Sequence, residues 1–171
     1  MNKCIFLDRD GVLNVDRSDY VYRVEDFIIP DGVVEGLHRL KNAGYLLIVI
    51  TNQAGIARGL YTRDDVMRCH TYLQEQCGHL IDDIYFSPHH PDFDTRSLTR
   101  KPESLLLEKA IAKYNIDVRH SWMIGDALRD MLAGRRVGVR TVHVTHLPEQ
   151  AAGDCMADNL LEATGCVLAY R

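Results

Sequence analysis

Short, nearly unbroken apolar runs alternate along the chain with segments whose apolar residues recur at helical spacing. Cys4, Ile5, Phe6 and Leu7 read as a buried strand that breaks abruptly into Asp8-Arg9-Asp10-Gly11. Residues 45–50 are almost continuously apolar, as a central strand covered on both faces should be, and the run stops at Thr51-Asn52. Ile84-Tyr85-Phe86 predicts a third strand, and Ser121-Trp122-Met123-Ile124 predicts a fourth with Gly125-Asp126 at its tip. Val137-Gly138-Val139 reads as a fifth strand and Val167-Leu168 as a short last one. Between them, Val33, Val34, Leu37 and Leu40 give a helix with Gly44 as its C-cap. Thr62 is placed to cap a helix running to Gln76, and Pro102 to open one running to Tyr114. Short helices are expected over 128–133 and 158–162. Such alternation implies an α/β fold: a Rossmann-like, mostly parallel sheet with helices on both faces and right-handed crossovers, in a single domain over 1–171.

Residues 12–30 fit this scheme poorly. They exceed an ordinary strand–helix connection and carry Tyr20, Tyr22 and Phe27 among charges, which favours a small insertion over the strand tips. The tyrosines could cover a site there or simply form a satellite core.

Bulk properties narrow the class. The 171 residues suffice for one full core and are too few for two. A formal charge of −4 gives no basic footprint for nucleic acid. No stretch approaches the ~20 apolar residues needed to span a bilayer, and the start lacks a secretory pattern. Cys4, Cys69, Cys77, Cys155 and Cys166 are odd in number and scattered, which argues against a disulfide framework and for a reduced, cytoplasmic setting. Cys69 and Cys77, with Trp122 and Met123, are expected in the core.

In a parallel sheet the C-terminal strand ends share one edge, so Asp8 and Asp10, Thr51 and Asn52, and Asp126 can converge there, with Lys101 opening a helix on the same edge. The residue types define a chemistry. Asp8, Asp10 and Asp126 are oxygen donors suited to Mg²⁺, whose shell waters and a substrate phosphate complete. Thr51 and its turn offer phosphoryl-binding donors, and Lys101 offers a compact positive charge. One aspartate can attack phosphorus while the other protonates the leaving alcohol, a role that requires its pKa to rise from the ordinary ~3.9. No nucleotide-cradling glycine loop, nucleophile elbow or His-Glu-x-x-His run competes with this reading.

The set Asp8-Arg9-Asp10-Gly11, Thr51-Asn52-Gln53, Arg100-Lys101-Pro102 and Gly125-Asp126 with Asp130 resembles all four signature regions of the haloacid-dehalogenase-like (HAD-like) phosphatases. Residues 51–59 and Pro88-His89-His90-Pro91 resemble the small histidinol-phosphatase-like branch, and above all the heptose bisphosphate phosphatases within it. The resemblance implies a HAD-like fold without a large cap. It also implies a Mg²⁺-dependent phosphomonoester hydrolase that removes the 7-phosphate of D-glycero-D-manno-heptose 1,7-bisphosphate in surface-polysaccharide synthesis. Histidinol phosphate, a broader range of sugar phosphates, or a non-catalytic phosphate-binding role are the alternatives. Asp8 would then be the nucleophile and Asp10 the acid and base. Asp8, Asp126 and the Asp10 carbonyl would hold Mg²⁺. Thr51, Asn52 and Lys101 would bind the transferred phosphoryl group, and Arg100 with Arg58 would face a second phosphate. Gly11, Gly125 and Asp130 would support the site. The expected partner is a phosphorylated sugar alone, met by a monomer in the cytoplasm, with no nucleic acid or membrane.

Two departures stand out. Members of this branch carry a structural zinc whose ligands match Ser87, His89, Ser97 and Thr99 here. A lone imidazole among hydroxyls cannot close a tetrahedral zinc site, so no structural zinc is expected. Ion pairs among Asp92, Asp94, Arg96 and Arg100 should hold the loop instead, with His89 and His90 shaping it or touching substrate. Ala127 also stands where relatives often place lysine, removing positive charge beside the metal.

Overall fold

The computed structural model describes residues 1–150 and 152–170. Its strands are β1 (Cys4–Leu7), β2 (Leu46–Asn52), β3 (Asp83–Ser87), β4 (Trp122–Gly125), β5 (Arg140–Val144) and β6 (Cys155–Ala157). Its helices are α1 (Val33–Asn42), α2 (Arg63–Gln76), α3 (Leu105–Tyr114), α4 (Leu128–Val137) and α5 (Leu160–Ala169). The strands form one sheet in the order β3-β2-β1-β4-β5-β6, and every pairing is parallel. Strand order reverses between β1 and β4, the place where open α/β sheets bind ligands at the C-terminal strand ends.

Alternation along β1 builds the two halves of the core. Ile5 and Leu7 point to the face covered by α1, α2 and α5, where they meet Leu37, Leu73 and Leu160. Cys4 and Phe6 point to the opposite face and meet Leu106, Ala110 and Ala133 of α3 and α4. Each fully buried Leu or Phe here contributes about 1.5–3 kcal/mol. Both faces are thus covered, which is why β1 and β2 read as continuous apolar runs. Among the described residues no helix is long and apolar enough to cross a membrane.

The expected helix caps hold where side-chain chemistry specifies them. Thr62 accepts from Asp65 N–H and completes a capping box at α2. Three expectations fail near element ends, and a fourth fails on the cysteines. The Lys101–Pro102 peptide is cis and α3 begins only at Leu105, so Pro102 does not open the helix. Val137 ends α4, Gly138 caps it at φ 82°, and the strand placed at 137–139 starts instead at Arg140. Val167 and Leu168 belong to α5 and not to a strand, because Val167 completes the helix face packed against the sheet. The last strand is β6, an edge strand of three residues. Cys155 in β6 and Cys166 in α5 form a disulfide, contrary to the expectation of unpaired cysteines, because the return of α5 over β6 brings them together. Cys4, Cys69 and Cys77 are free and buried.

Candidate active site

The site is built on the tip of β1. Asp8 N–H donates to Ile124 O at 2.9 Å, carrying the β1–β4 ladder one residue past the strand. The chain then folds back sharply: the N–H groups of Val12, Leu13 and Asn14 converge on Arg9 O, and Gly11 N–H donates to Asn14 O at 2.9 Å. Gly11 sits at φ +81°, and a Cβ on it would lie 2.1 Å from Asp126 Oδ2. Only glycine lets the β1 turn pass this close to the β4 carboxylate. At Gly125 a Cβ would strike the Asp130 side chain, so both signature glycines make room for acids.

Lys101 ties three elements together. Its Nζ lies 2.9 Å from Asp8 Oδ1 and 2.7 Å from Asp130 Oδ1, and donates to Ile50 O at 2.6 Å. The side chain is 1% exposed, with Ile50 O as its hydrogen-bond acceptor and the two carboxylates as its ion-pair partners. Burial works against its charge, but Asp130 and Asp8 outweigh that and hold its pKa above the ordinary value. Asp130 Oδ2 accepts from Ala127 N–H at 3.0 Å, so the same carboxylate caps the start of α4.

The carboxylates of Asp8, Asp126 and Asp130 approach within 4.8 Å of one another. Burial, together with the negative charge of Asp130, pushes Asp8 up to about 7 despite Lys101. Burial and Asp130 likewise push Asp126 up to about 6, while Arg129 on the first turn of α4 opposes the rise. Asp126 Oδ1 is buried without a hydrogen-bond partner among the described residues. Crowded buried carboxylate oxygens, Asp126 Oδ1 among them without a partner, suit a hard divalent cation such as Mg²⁺, so the residues present fit that ion. Asp130, expected as support, stands inside this cluster, whereas the Asp10 side chain stands outside it.

Asp10 is held by three neighbours. Its Oδ1 accepts from Arg9 Nη2 at 2.8 Å and Asn14 Nδ2 at 3.0 Å, and its Oδ2 accepts from Gln53 Nε2 at 3.0 Å. Arg9 is fully buried, donates to Val21 O at 2.7 Å and stacks on Phe27, so the insertion is pinned to the turn after β1. Arg9, Asn14 and Gln53 escaped the sequence reading. The available signal was the guanidinium flanked by two acids in the strand-tip turn.

Thr51 is buried, and its Oγ1 accepts from Gln53 Nε2 at 3.0 Å, leaving its own proton to donate. The Asn52 side chain pairs with the Lys101 main chain in both directions, donating to Lys101 O and accepting from Lys101 N–H at 3.0 Å each. Its amide thus fixes the Lys101 backbone and is not free to bind the phosphoryl group, as had been expected of it. Arg58 donates to Tyr20 OH at 2.9 Å and stacks on Phe93, joining the insertion to the loop after β3. Arg100 donates to His89 O at 3.3 Å, and burial, then the neighbouring charge of Arg129, lowers its pKa.

That loop is organised around hydroxyls. Thr99 Oγ1 lies 2.8 Å from Ser87 Oγ and 2.7 Å from Ser97 Oγ. His89 Nδ1 pairs with Asp94 Oδ2 at 2.7 Å, and His90 N–H donates to Asp94 Oδ1. The expected ion pairing is corrected accordingly. Asp94 pairs with His89, while neither Arg96 nor Arg100 pairs with an acid among the described residues. Asp94 prefers the backbone and imidazole donors that its own turn presents.

Residues 98–163 match the family model described as HAD-hydrolase-like. The chain is 36% identical to the D-glycero-beta-D-manno-heptose-1,7-bisphosphate 7-phosphatase of Haemophilus ducreyi, covering 98% of this chain and 97% of that one. It is 40% identical to the enzyme of the same name from Pasteurella multocida, with coverage of 95% and 93%. Among solved structures, D,D-heptose 1,7-bisphosphate phosphatase from B. bronchiseptica, complexed with magnesium and phosphate, superposes with a TM-score of 0.85. That protein is 27% identical, and the match covers 97% of this chain and 98% of that one.

Proposed function

The chain belongs to the HAD-like hydrolases, in the group named heptose-1,7-bisphosphate 7-phosphatases, and from that premise we propose that it removes the 7-phosphate of D-glycero-D-manno-heptose 1,7-bisphosphate. The observation that carries this reading is the pairing of buried Asp8 with Lys101 beside Asp126, at the point where strand order reverses.

In the proposed reaction the Asp8 carboxylate attacks phosphorus and the bond to the C7 oxygen breaks. Asp10 protonates that oxygen as it leaves. Water then attacks the aspartyl-phosphate, Asp10 takes its proton, and phosphate departs with the Asp8 carboxylate restored. Lys101 and the Thr51 hydroxyl, both buried, hold the transferred oxygens. Mg²⁺, held by Asp8, Asp126 and the Asp10 carbonyl, supplies the charge that masks repulsion between carboxylate and phosphate dianion. Arg100 and Arg58 face the second phosphate, and Arg129 on α4 adds positive charge beside Asp126, where Ala127 carries none. Gly11, Gly125 and Asp130 support the constellation.

We read residues 1–171 as one domain that works as a monomer in the bacterial cytoplasm, without nucleic-acid or membrane partners. What supports that location is the substrate class, since charged sugar phosphates stay inside the cell. The test is phosphate release from both anomers of the bisphosphate beside histidinol phosphate, with Mg²⁺. Preference for either bisphosphate by at least ten-fold is the expected result. Equal, weak turnover of all three would overturn the substrate assignment.

A further inference from the structure

Gln53 lies between the acid–base residue and a tyrosine that no signature region contains. It is 1% exposed, and its side-chain amide is fully used. Nε2 donates to Asp10 Oδ2 and to Thr51 Oγ1, both at 3.0 Å, while Oε1 accepts from Tyr61 OH at 2.8 Å. An amide can present its two ends either way round, and only one orientation offers protons to Asp10 and Thr51. The Asp10 carboxylate, which can only accept, requires that orientation, and the Tyr61 hydroxyl holds it by donating to the Oε1 end. Burial raises the Tyr61 pKa, so its O–H stays a donor at every working pH.

The Tyr61 ring is held in turn. Tyr22 stacks on it at 5.0 Å between centroids with 13° between planes, and Tyr20 meets it edge-on at 5.8 Å. Gly55 admits it, because a Cβ there would fall 2.0 Å from the ring. Both stacking tyrosines belong to the insertion, which also pins Arg9 through Val21 O. Asp10 is therefore gripped from two sides, by Arg9 directly and by Gln53 through Tyr61.

We propose that Tyr61 and Gln53 are positioning residues for Asp10, with the Tyr61 hydroxyl locking the Gln53 amide so that it aims Asp10 toward the leaving oxygen. The proposal rests on the reading of Asp10 as acid and base. A flipped amide would set Oε1 lone pairs against Asp10 Oδ2 and Thr51 Oγ1 and turn the carboxylate away.

General-acid help matters for a sugar alkoxide and little for a leaving group as stable as p-nitrophenolate. The experiment therefore compares kcat/KM on heptose bisphosphate with kcat/KM on p-nitrophenyl phosphate, which reports the step that expels the leaving group and not the later hydrolysis of the aspartyl-phosphate. The variants are Tyr61→Phe, Gln53→Glu and, as the reference, Asp10→Asn. Tyr61→Phe keeps the stacked ring and loses only the hydroxyl. The ratio of sugar to aryl kcat/KM should fall at least five-fold in Tyr61→Phe and further in Gln53→Glu, toward the ratio of Asp10→Asn. If Asp10→Asn shifts the ratio and the other two do not, the positioning role is wrong while the acid–base reading stands. If Asp10→Asn itself leaves the ratio unchanged, the acid–base reading fails, and the positioning role with it.

Discussion

Replacing Lys101 with methionine should cost far more than one surface charge, because of what the ammonium leaves behind. Its stem is about the length of a methionine side chain, so packing is nearly kept while both ion pairs vanish. Asp8 and Asp130, each under 5% exposed, then face one another without a cation, and Ile50 O loses its donor. Breaking a buried pair by removing one partner costs about 3–5 kcal/mol, a large share of the 5–15 kcal/mol that holds an ordinary domain together. The cost must depend on pH. Burial and Asp130 already raise Asp8 to about 7 with Lys101 present, and removing Lys101 raises it further. A carboxylate whose folded pKa is raised contributes stability that is full below its unfolded value and lost as pH rises through the folded one. The Lys101→Met deficit should therefore be smallest near pH 5, where Asp8 is protonated, and grow toward pH 8. Urea unfolding of both proteins at pH 5, 6.5 and 8, without metal, measures it. A deficit under about 1 kcal/mol, or one flat across that range, would refute the argument. Activity should fall by about 10²–10³-fold, the loss expected for one preorganised charge at a transferring group.

Other positions give sharper readouts. Gly11→Ala places a methyl on Asp126 Oδ2, so Mg²⁺ affinity by calorimetry should drop at least ten-fold while the far-UV spectrum is kept; unchanged affinity would exclude Gly11 from shaping the site. Asn52→Ala breaks both contacts to the Lys101 backbone and should cost about 1–3 kcal/mol in chemical unfolding together with a lower kcat. With Asp8 raised to about 7 and Asp126 to about 6, added Mg²⁺ should raise Tm more at pH 8 than at pH 5.5, since bound metal relieves repulsion only between ionised acids. Thr99→Val removes the hydroxyl shared by Ser87 and Ser97 and should lower Tm by a few degrees, while a strong zinc chelator leaves the parent protein's Tm unchanged.

How much of this was legible depended on whether a residue announced its surroundings. Asp8, Asp126 and Lys101 stand where apolar strands end or a helix approaches, and a parallel sheet brings such positions to one edge whatever their separation in sequence. The faces of β1 and β2 were readable for the same reason. Element ends were not. Val167 and Leu168 are an apolar pair that fits strand or helix, and only packing of α5 on the sheet decides between them. β6 has three residues at an edge, too few for any period to show. Arg9 looks like a solvated charge in sequence, and its burial follows from acceptors at Asp10 and from Val21, twelve residues away. Tyr61 reads as an ordinary helix-flanking aromatic, and its hydroxyl gains meaning only when the turn of 53–60 sets it against Gln53. The loop of 87–99 lay between these cases. Its missing thiolates were plain, but hydroxyl contacts of Thr99 took the place expected for ion pairs, because short side chains on adjacent turns reach each other where Arg96 does not.

The central claim is that Asp8 carries the phosphoryl group. Asp10→Asn offers the most direct test, since it removes the base that assists hydrolysis of the aspartyl-phosphate while p-nitrophenolate leaves without an acid. Rapid mixing of this variant with p-nitrophenyl phosphate and Mg²⁺ should give a burst of p-nitrophenolate stoichiometric with protein, followed by slow turnover. Acid quenching during the slow phase should recover phosphate bound to the peptide containing Asp8. Turnover without a burst, or phosphate on any other residue, would contradict the account.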